Sequence, residues 1–187
     1  MTGVLFWSCN PSSSVEKEIA EIPQEVTLTR FEQRFMESED LHNLQSEFPY
    51  LFPENVPMEF WTEKKKDTLY IELNNEVSKH FSDTKALEGE LKSLFQHIKY
   101  YYPGENPGNV ITLVNEVDVP YRAIYTDTVS IIALDNYLGK AHRFYQNFDH
   151  YTLIDFEPEK IVVDLSNHFL RQQIDPANDR IFLSQII

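Results

Sequence analysis

Ile131-Ile132-Ala133-Leu134-Asp135-Asn136-Tyr137-Leu138-Gly139-Lys140-Ala141-His142-Arg143-Phe144-Tyr145 is the stretch on which the reading of the fold turns. An apolar, β-compatible run stops at Asp135-Asn136, a loop with one glycine follows, and then a segment dense in aromatic rings. A short apolar, β-compatible run that ends abruptly at polar residues marks a strand running into a loop. Nothing in the stretch has the pattern of a nucleophile elbow, a phosphate cradle or a metal cage.

Upstream, Tyr121 to Tyr125 and Val110 to Val117 are further strand candidates, and with Thr128 to Leu134 they make three in a row. The short connections Asp118-Val119-Pro120 and Thr126-Asp127 predict an antiparallel meander. Gly104 to Asn109 is a turn by composition. Before it, Leu87, Leu91, Leu94, Phe95 and Ile98 recur at helical spacing from about Asp83 to Tyr102-Pro103. Ser38 is the expected N-cap of an earlier helix with Leu41, Leu44 and Phe48 on one face, closed by Pro49 and Pro53. Gln24 to Phe31 alternates as a short strand. Downstream, Pro158 suits a first helical position. Ile161, Leu165 and Phe169 then lie opposite Lys160, Asp164, Asn167 and Arg171, an amphipathic surface helix. A last helix is expected from about Asn178 to Ile187. It ends apolar and without a stop signal, so the chain is expected to be truncated inside it. The fold class that follows is α+β: a short antiparallel sheet packed by amphipathic helices.

The 187 residues suit one domain, and aromatic residues at 13% supply large buried areas for its core. A net charge of −14 argues against nucleic acid and against a polybasic grip on anionic lipid. No run approaches the roughly 20 apolar residues of a membrane helix. The single cysteine, Cys9, precludes an internal disulfide. Val4-Leu5-Phe6-Trp7-Ser8 before it and Asn10-Pro11-Ser12-Ser13-Ser14 after it have the order of a bacterial lipobox, although Phe6 and Trp7 are bulky there and no basic n-region precedes them. The expected division is a signal remnant over residues 1–9, a flexible tether over 10–23 and an incomplete α+β domain over 24–187.

The central stretch resembles the GldB family, the gliding-motility lipoproteins of the Bacteroidetes. The pattern I-x-L-D-x-Y-L-G-x-x-H-x-F-Y runs from Ile132 to Tyr145, and an F-x-x-Y turn follows at Phe148-Asp149-His150-Tyr151. The resemblance covers most of Val26 to Ile187, roughly the first half of a family member. It implies lipid attachment at Cys9, an outer-membrane position facing the periplasm, and partners among other gliding or secretion proteins. It also implies a zincin-like outline, because the family is similar in fold to peptidases whose helix carries H-E-x-x-H.

That motif is absent: the histidines are His42, His80, His97, His142, His150 and His168, and no two are three or four apart. His142 and His150 are placed to approach each other around the loop, joined by Asp135 or Asp149, or else are rim histidines of an aromatic segment. The pairs Asp118 with Asp127 and Asp135 with Asp149 are the acid–base alternatives. Gln185 and Ile186 stand where the family's counterpart of the zinc helix would lie. No catalytic residue, metal or cofactor is assigned. Tyr137, Phe144, Tyr145, Phe148 and Tyr151 make either a satellite core or a rigid recognition surface. In Tyr100-Tyr101-Tyr102, three rings cannot all point inward, so at least one is expected to be exposed. Lys140, His142, Arg143 and Tyr101 are the candidate partner-binding residues, with the first three expected to face outward. The function expected is a non-catalytic envelope lipoprotein. The rivals are a zincin-like hydrolase with part of its site beyond Ile187 and a periplasmic ligand-binding module.

Overall fold

The computed structural model describes residues 14–173. Cys9 and the expected last helix, with Gln185 and Ile186, lie outside them. The elements in chain order are α1 (Ser14–Ala20), β1 (Thr27–Arg30), α2 (Phe31–Glu37), α3 (Leu41–Glu47), α4 (Met58–Lys64), α5 (Thr68–His80), α6 (Lys85–Tyr101), β2 (Asn109–Leu113), β3 (Ala123–Tyr125), β4 (Ser130–Ala133), α7 (His150–Leu153) and α8 (Ile161–Gln173). The α+β class is as expected.

The antiparallel meander is not what forms. The sheet order is β1-β2-β4-β3, with β1, β2 and β4 parallel and only β3 antiparallel to β4. The hairpin at Thr126 to Val129 is as read: Thr126 donates its N–H to the Val129 carbonyl (3.1 Å) and its Oγ1 accepts the Val129 N–H (3.1 Å). The connection from β2 is where the reading fails. Glu116 and Val117 take φ of 62° and 60°, left-handed backbone that no sequence rule expects of a valine. This turns the chain out past β4, so β3 lands on the far edge and the hairpin brings β4 back beside β2.

Register puts Val110, Thr112, Ser130, Ile132, Ala123 and Tyr125 on one sheet face, and all are buried. α8 covers the β3 side of that face with Ile161, Leu165 and Phe169, as their spacing predicted. The Phe169 ring stands edge-on between Tyr125 (4.9 Å) and Tyr102 (5.0 Å), tying α8 to β3 and to the end of α6. A second cluster, Phe31, Phe35, Phe48, Phe52, Trp61 and Tyr70, gathers α2 to α5 in edge-to-face contacts.

Three further differences have local causes. Asp40, not Ser38, caps α3, accepting the His42 N–H at 2.9 Å. From Ser14 onward, the stretch expected to be tether carries α1, whose Ile19 is 1% exposed. Gln96 of α6 is the reason: its Nε2 donates to the carbonyls of Ala20 (3.1 Å) and Ile22 (2.8 Å), fixing the end of α1. Finally α5, to which no expectation was attached, buries Tyr70, Leu73, Asn74 and Val77 along one stripe behind an Asp67 cap.

An edge strand exposes unpaired amides. On β3 those of Tyr125 are taken up by α8: His168 Nδ1 accepts its N–H (3.1 Å) and Gln172 Nε2 donates to its carbonyl (2.6 Å). His168→Ala is expected to cost about 1–3 kcal/mol, because it leaves a covered donor without a partner. Urea unfolding checks this, and Gln172→Ala, at an exposed position, should cost less.

Candidate functional site

The carboxyl ends of β2 and β4 are joined by polar side chains of the central stretch. Asp135, fully buried, accepts the N–H of Asn115 at Oδ1 (3.1 Å) and that of Val117 at Oδ2 (2.7 Å). The left-handed residues Glu116 and Val117 make a concave run of amides, a fold-built anion nest that the chain fills with its own carboxylate. Asn136 extends the hold. Its Nδ2 donates to Asn115 Oδ1 (2.8 Å), and Asn115 Nδ2 donates to the carbonyls of Asp118 (3.1 Å) and Tyr121 (3.3 Å). Burial pushes the Asp135 carboxyl up to about 6, while hydrogen bonds from Val117 and Asn115 pull the other way.

The aromatic loop folds down on this knot. Tyr145 Oη donates to the Asp135 carbonyl (2.6 Å) and accepts the Leu138 N–H (3.0 Å). Its ring lies 4.2 Å from that of Phe156, which Phe148 meets edge-on at 5.0 Å. Gly139 sits at φ 91° and donates to the Phe156 carbonyl (2.9 Å), a conformation L side chains rarely adopt. Tyr137 Oη donates to Asp164 of α8 (2.9 Å), and the same carboxylate takes both Nε (2.7 Å) and Nη2 (2.8 Å) of Arg122. Burial first, then the Asp164 charge, drives the Tyr137 hydroxyl far above its ordinary value. The satellite-core reading therefore describes Tyr137, Tyr145 and Phe148, whereas Tyr151 is 75% exposed and lies outside it.

Lys140, His142 and Arg143 come together, but they do not all face outward. His142 is turned in, its side chain 15% exposed. Its ring packs against Phe144 (5.2 Å) and Tyr145 (5.7 Å), and Nδ1 accepts the Phe144 N–H (3.4 Å). Nε2 is thereby left to donate to Glu76 of α5 (3.3 Å). That hydrogen bond, more than the nearby Lys79, His142 and Arg143 charges, holds the Glu76 carboxyl below its usual range. Arg143 pairs with Glu72 (2.9 Å) and Lys140 with Glu157 (3.6 Å). Three side chains of the loop thus meet three carboxylates, two of them on α5. Glu72 and Glu76 went unread in the sequence. The available signal was two glutamates one helical turn apart. Tyr101, 60% exposed, projects from the end of α6 apart from these pairings, while Tyr102 packs on Phe169.

Asp118, Asp127, Asp149 and His150 are exposed, and among the described residues no three His, Cys, Asp or Glu side chains gather as a metal site. The knot is a constraint, with its carboxylate, amide and phenol all turned toward backbone or neighbouring side chains.

Two predictions follow from these contacts. The folded protein holds the Asp135 proton more tightly than the unfolded chain does. It therefore binds more protons between the two pKa values, and stability falls as pH rises from about 4 to about 7, by roughly 3 kcal/mol at most. Urea midpoints across that range should show this decline in the wild type and lose it in Asp135→Asn, whatever the offset between the two. For the clamp, Lys140→Ala and Arg143→Ala break exposed pairs and should barely move the midpoint. His142→Ala removes a packed ring and should lower it clearly by the same measurement.

The family model described as gliding motility protein GldB matches residues 12–187 of the chain. No curated protein and no solved structure matches it.

Proposed function

Because the chain belongs to the gliding motility protein GldB family, we propose that it is a non-catalytic component of the gliding machinery, acting through contacts with other proteins of that machinery. The observation that supports this reading is the commitment of its best acid–base candidates to the fold. Both Asp135 oxygens accept backbone N–H groups, and His142 bonds Phe144 on one ring nitrogen and Glu76 on the other. A general base needs a lone pair within reach of a substrate proton. Here those lone pairs face the protein's own amides.

The anchor belongs to the same proposal. Cys9, in its lipobox-like setting, carries the lipid, and the domain faces the periplasm from the outer membrane. Acyl chains contribute about 0.8 kcal/mol per buried CH₂, enough for two or more of them to hold a domain firmly. Among the described residues no helix is long and apolar enough to cross a membrane.

In a gliding host lacking the gene, a variant combining His142→Gln, His150→Gln and Asp149→Asn should restore gliding to the wild-type rate at equal protein level. Loss of gliding by a variant that melts like the wild type would overturn the non-catalytic reading. Cys9→Ala should move the protein out of the membrane fraction. Unchanged fractionation would remove the anchor.

A further inference from the structure

We propose that the groove between the Val119–Arg122 turn and α8 is the docking site for an extended acidic segment of a partner protein. The proposal rests on the reading of the chain as an interaction component and names the chemistry of its partner. The groove encloses about 370 Å³. One wall is α8 and the other is the turn after β2, with the edge of β3 at Ala123 between them. Val163, 45% exposed, lines it, and two more exposed apolar side chains, Tyr121 (63%) and Ile154 (53%), are sequence neighbours of the lining residues Pro120, Arg122 and Asp155.

Its charge is opposite to that of the molecule. In a chain of net charge −14, the groove is lined by Arg122, Lys160 and Arg171 against Asp155 and Asp164. Arg122 is neutralised by the bidentate pair with Asp164, and Lys160 reaches Asp155 only at 3.9 Å. Among the described residues Arg171 has no ion-pair or hydrogen-bond partner. The two available cations therefore stand at the two ends of the groove, Lys160 just before α8 and Arg171 near its end, with Val163 and Asn167 on the same face between them.

The spacing selects the occupant. Eleven helical steps put Lys160 and Arg171 about 16 Å apart along α8. A phosphate or a single carboxylate spans a small part of that distance, whereas residues four apart on one face of an extended chain stand about 13 Å from each other, and their side chains reach across the remainder. The fitting segment carries an acidic residue at each end and apolar or β-branched residues between, which meet Val163 and Tyr121.

Two probes test this. The first is a five-residue peptide with glutamate at each end and valine and threonine between, titrated into the protein and followed by backbone NMR shifts, beside a twin with glutamine at both ends. Shifts confined to 119–123 and 160–171, weakened by salt and at least about tenfold by Arg171→Glu, are expected. No shifts, shifts elsewhere, or equal binding of the glutamine twin would overturn the proposal. The second is a photo-crosslinking residue at position 163 in gliding cells. The captured peptide should carry two carboxylates four positions apart, and reversing them to lysine should rescue Arg171→Glu. Capture of a second copy of this chain, of lipid, or of a segment lacking those carboxylates would overturn it. If the groove fails while the His142, His150 and Asp149 variant still glides, only the docking site falls and the non-catalytic reading stands.

Discussion

The contact on which the architecture depends is the Asp135 carboxylate seated in the backbone amides of Asn115 and Val117. Its magnitudes explain what it is for. Two non-glycine residues in left-handed backbone cost roughly 1–2 kcal/mol each, and desolvating a carboxylate costs several kcal/mol more. Two hydrogen bonds to a charged acceptor contribute roughly 1.5–3 kcal/mol each. The gains do not exceed the costs, so the knot adds little stability. What it fixes is a route: the chain leaving β2 turns outward, bypasses the position beside it and lets β4 fill that position in parallel.

Legibility in the sequence followed locality. α6 and α8 were readable because four buried residues in one and three in the other repeat at helical spacing, with polar residues elsewhere. The β3–β4 hairpin was readable because its turn is short. The placement of β3 was not, since it depends on Asp135 meeting an amide 18 residues earlier in the chain. α5 escaped for a different reason. Its buried stripe includes Asn74, whose Nδ2 bonds the Tyr70 carbonyl (2.8 Å), while the apolar Leu69 is 47% exposed, so the apolar period is blurred. With α5 unread, no carboxylates were available to His142 and Arg143, and these residues looked free to face a partner. The basic character of the loop was legible, but the acidic helix that receives it was not.

The inward and outward tasks of the molecule therefore fall on different residues. The patterned stretch from Ile132 to Tyr145 is almost wholly absorbed in holding the fold: Asp135, Gly139, His142 and Tyr145 bond backbone groups, and Asn136 and Tyr137 bond the side chains of Asn115 and Asp164. A sequence pattern of this kind marks a shared fold without marking a shared surface. α8 divides the work by face. Ile161, Leu165 and Phe169 build the core, while Asp164, His168 and Gln172 bind Arg122, Tyr137 and the β3 edge. Val163, Asn167 and Arg171 remain outward.

That division couples the two tasks through Asp164. Its carboxylate neutralises Arg122 in the groove and takes the Tyr137 hydroxyl from the knot, so one side chain sets both the groove's charge and the seating of the central stretch. With this carboxylate in place, Arg122 is held by its partner and the attraction for an acidic segment passes to Lys160 and Arg171 at the two ends. Charge at the ends with apolar contact between favours an occupant of fixed length over any compact anion. The net charge of −14 works in the same direction, because it disfavours the approach of carboxylate-rich segments that find no basic face.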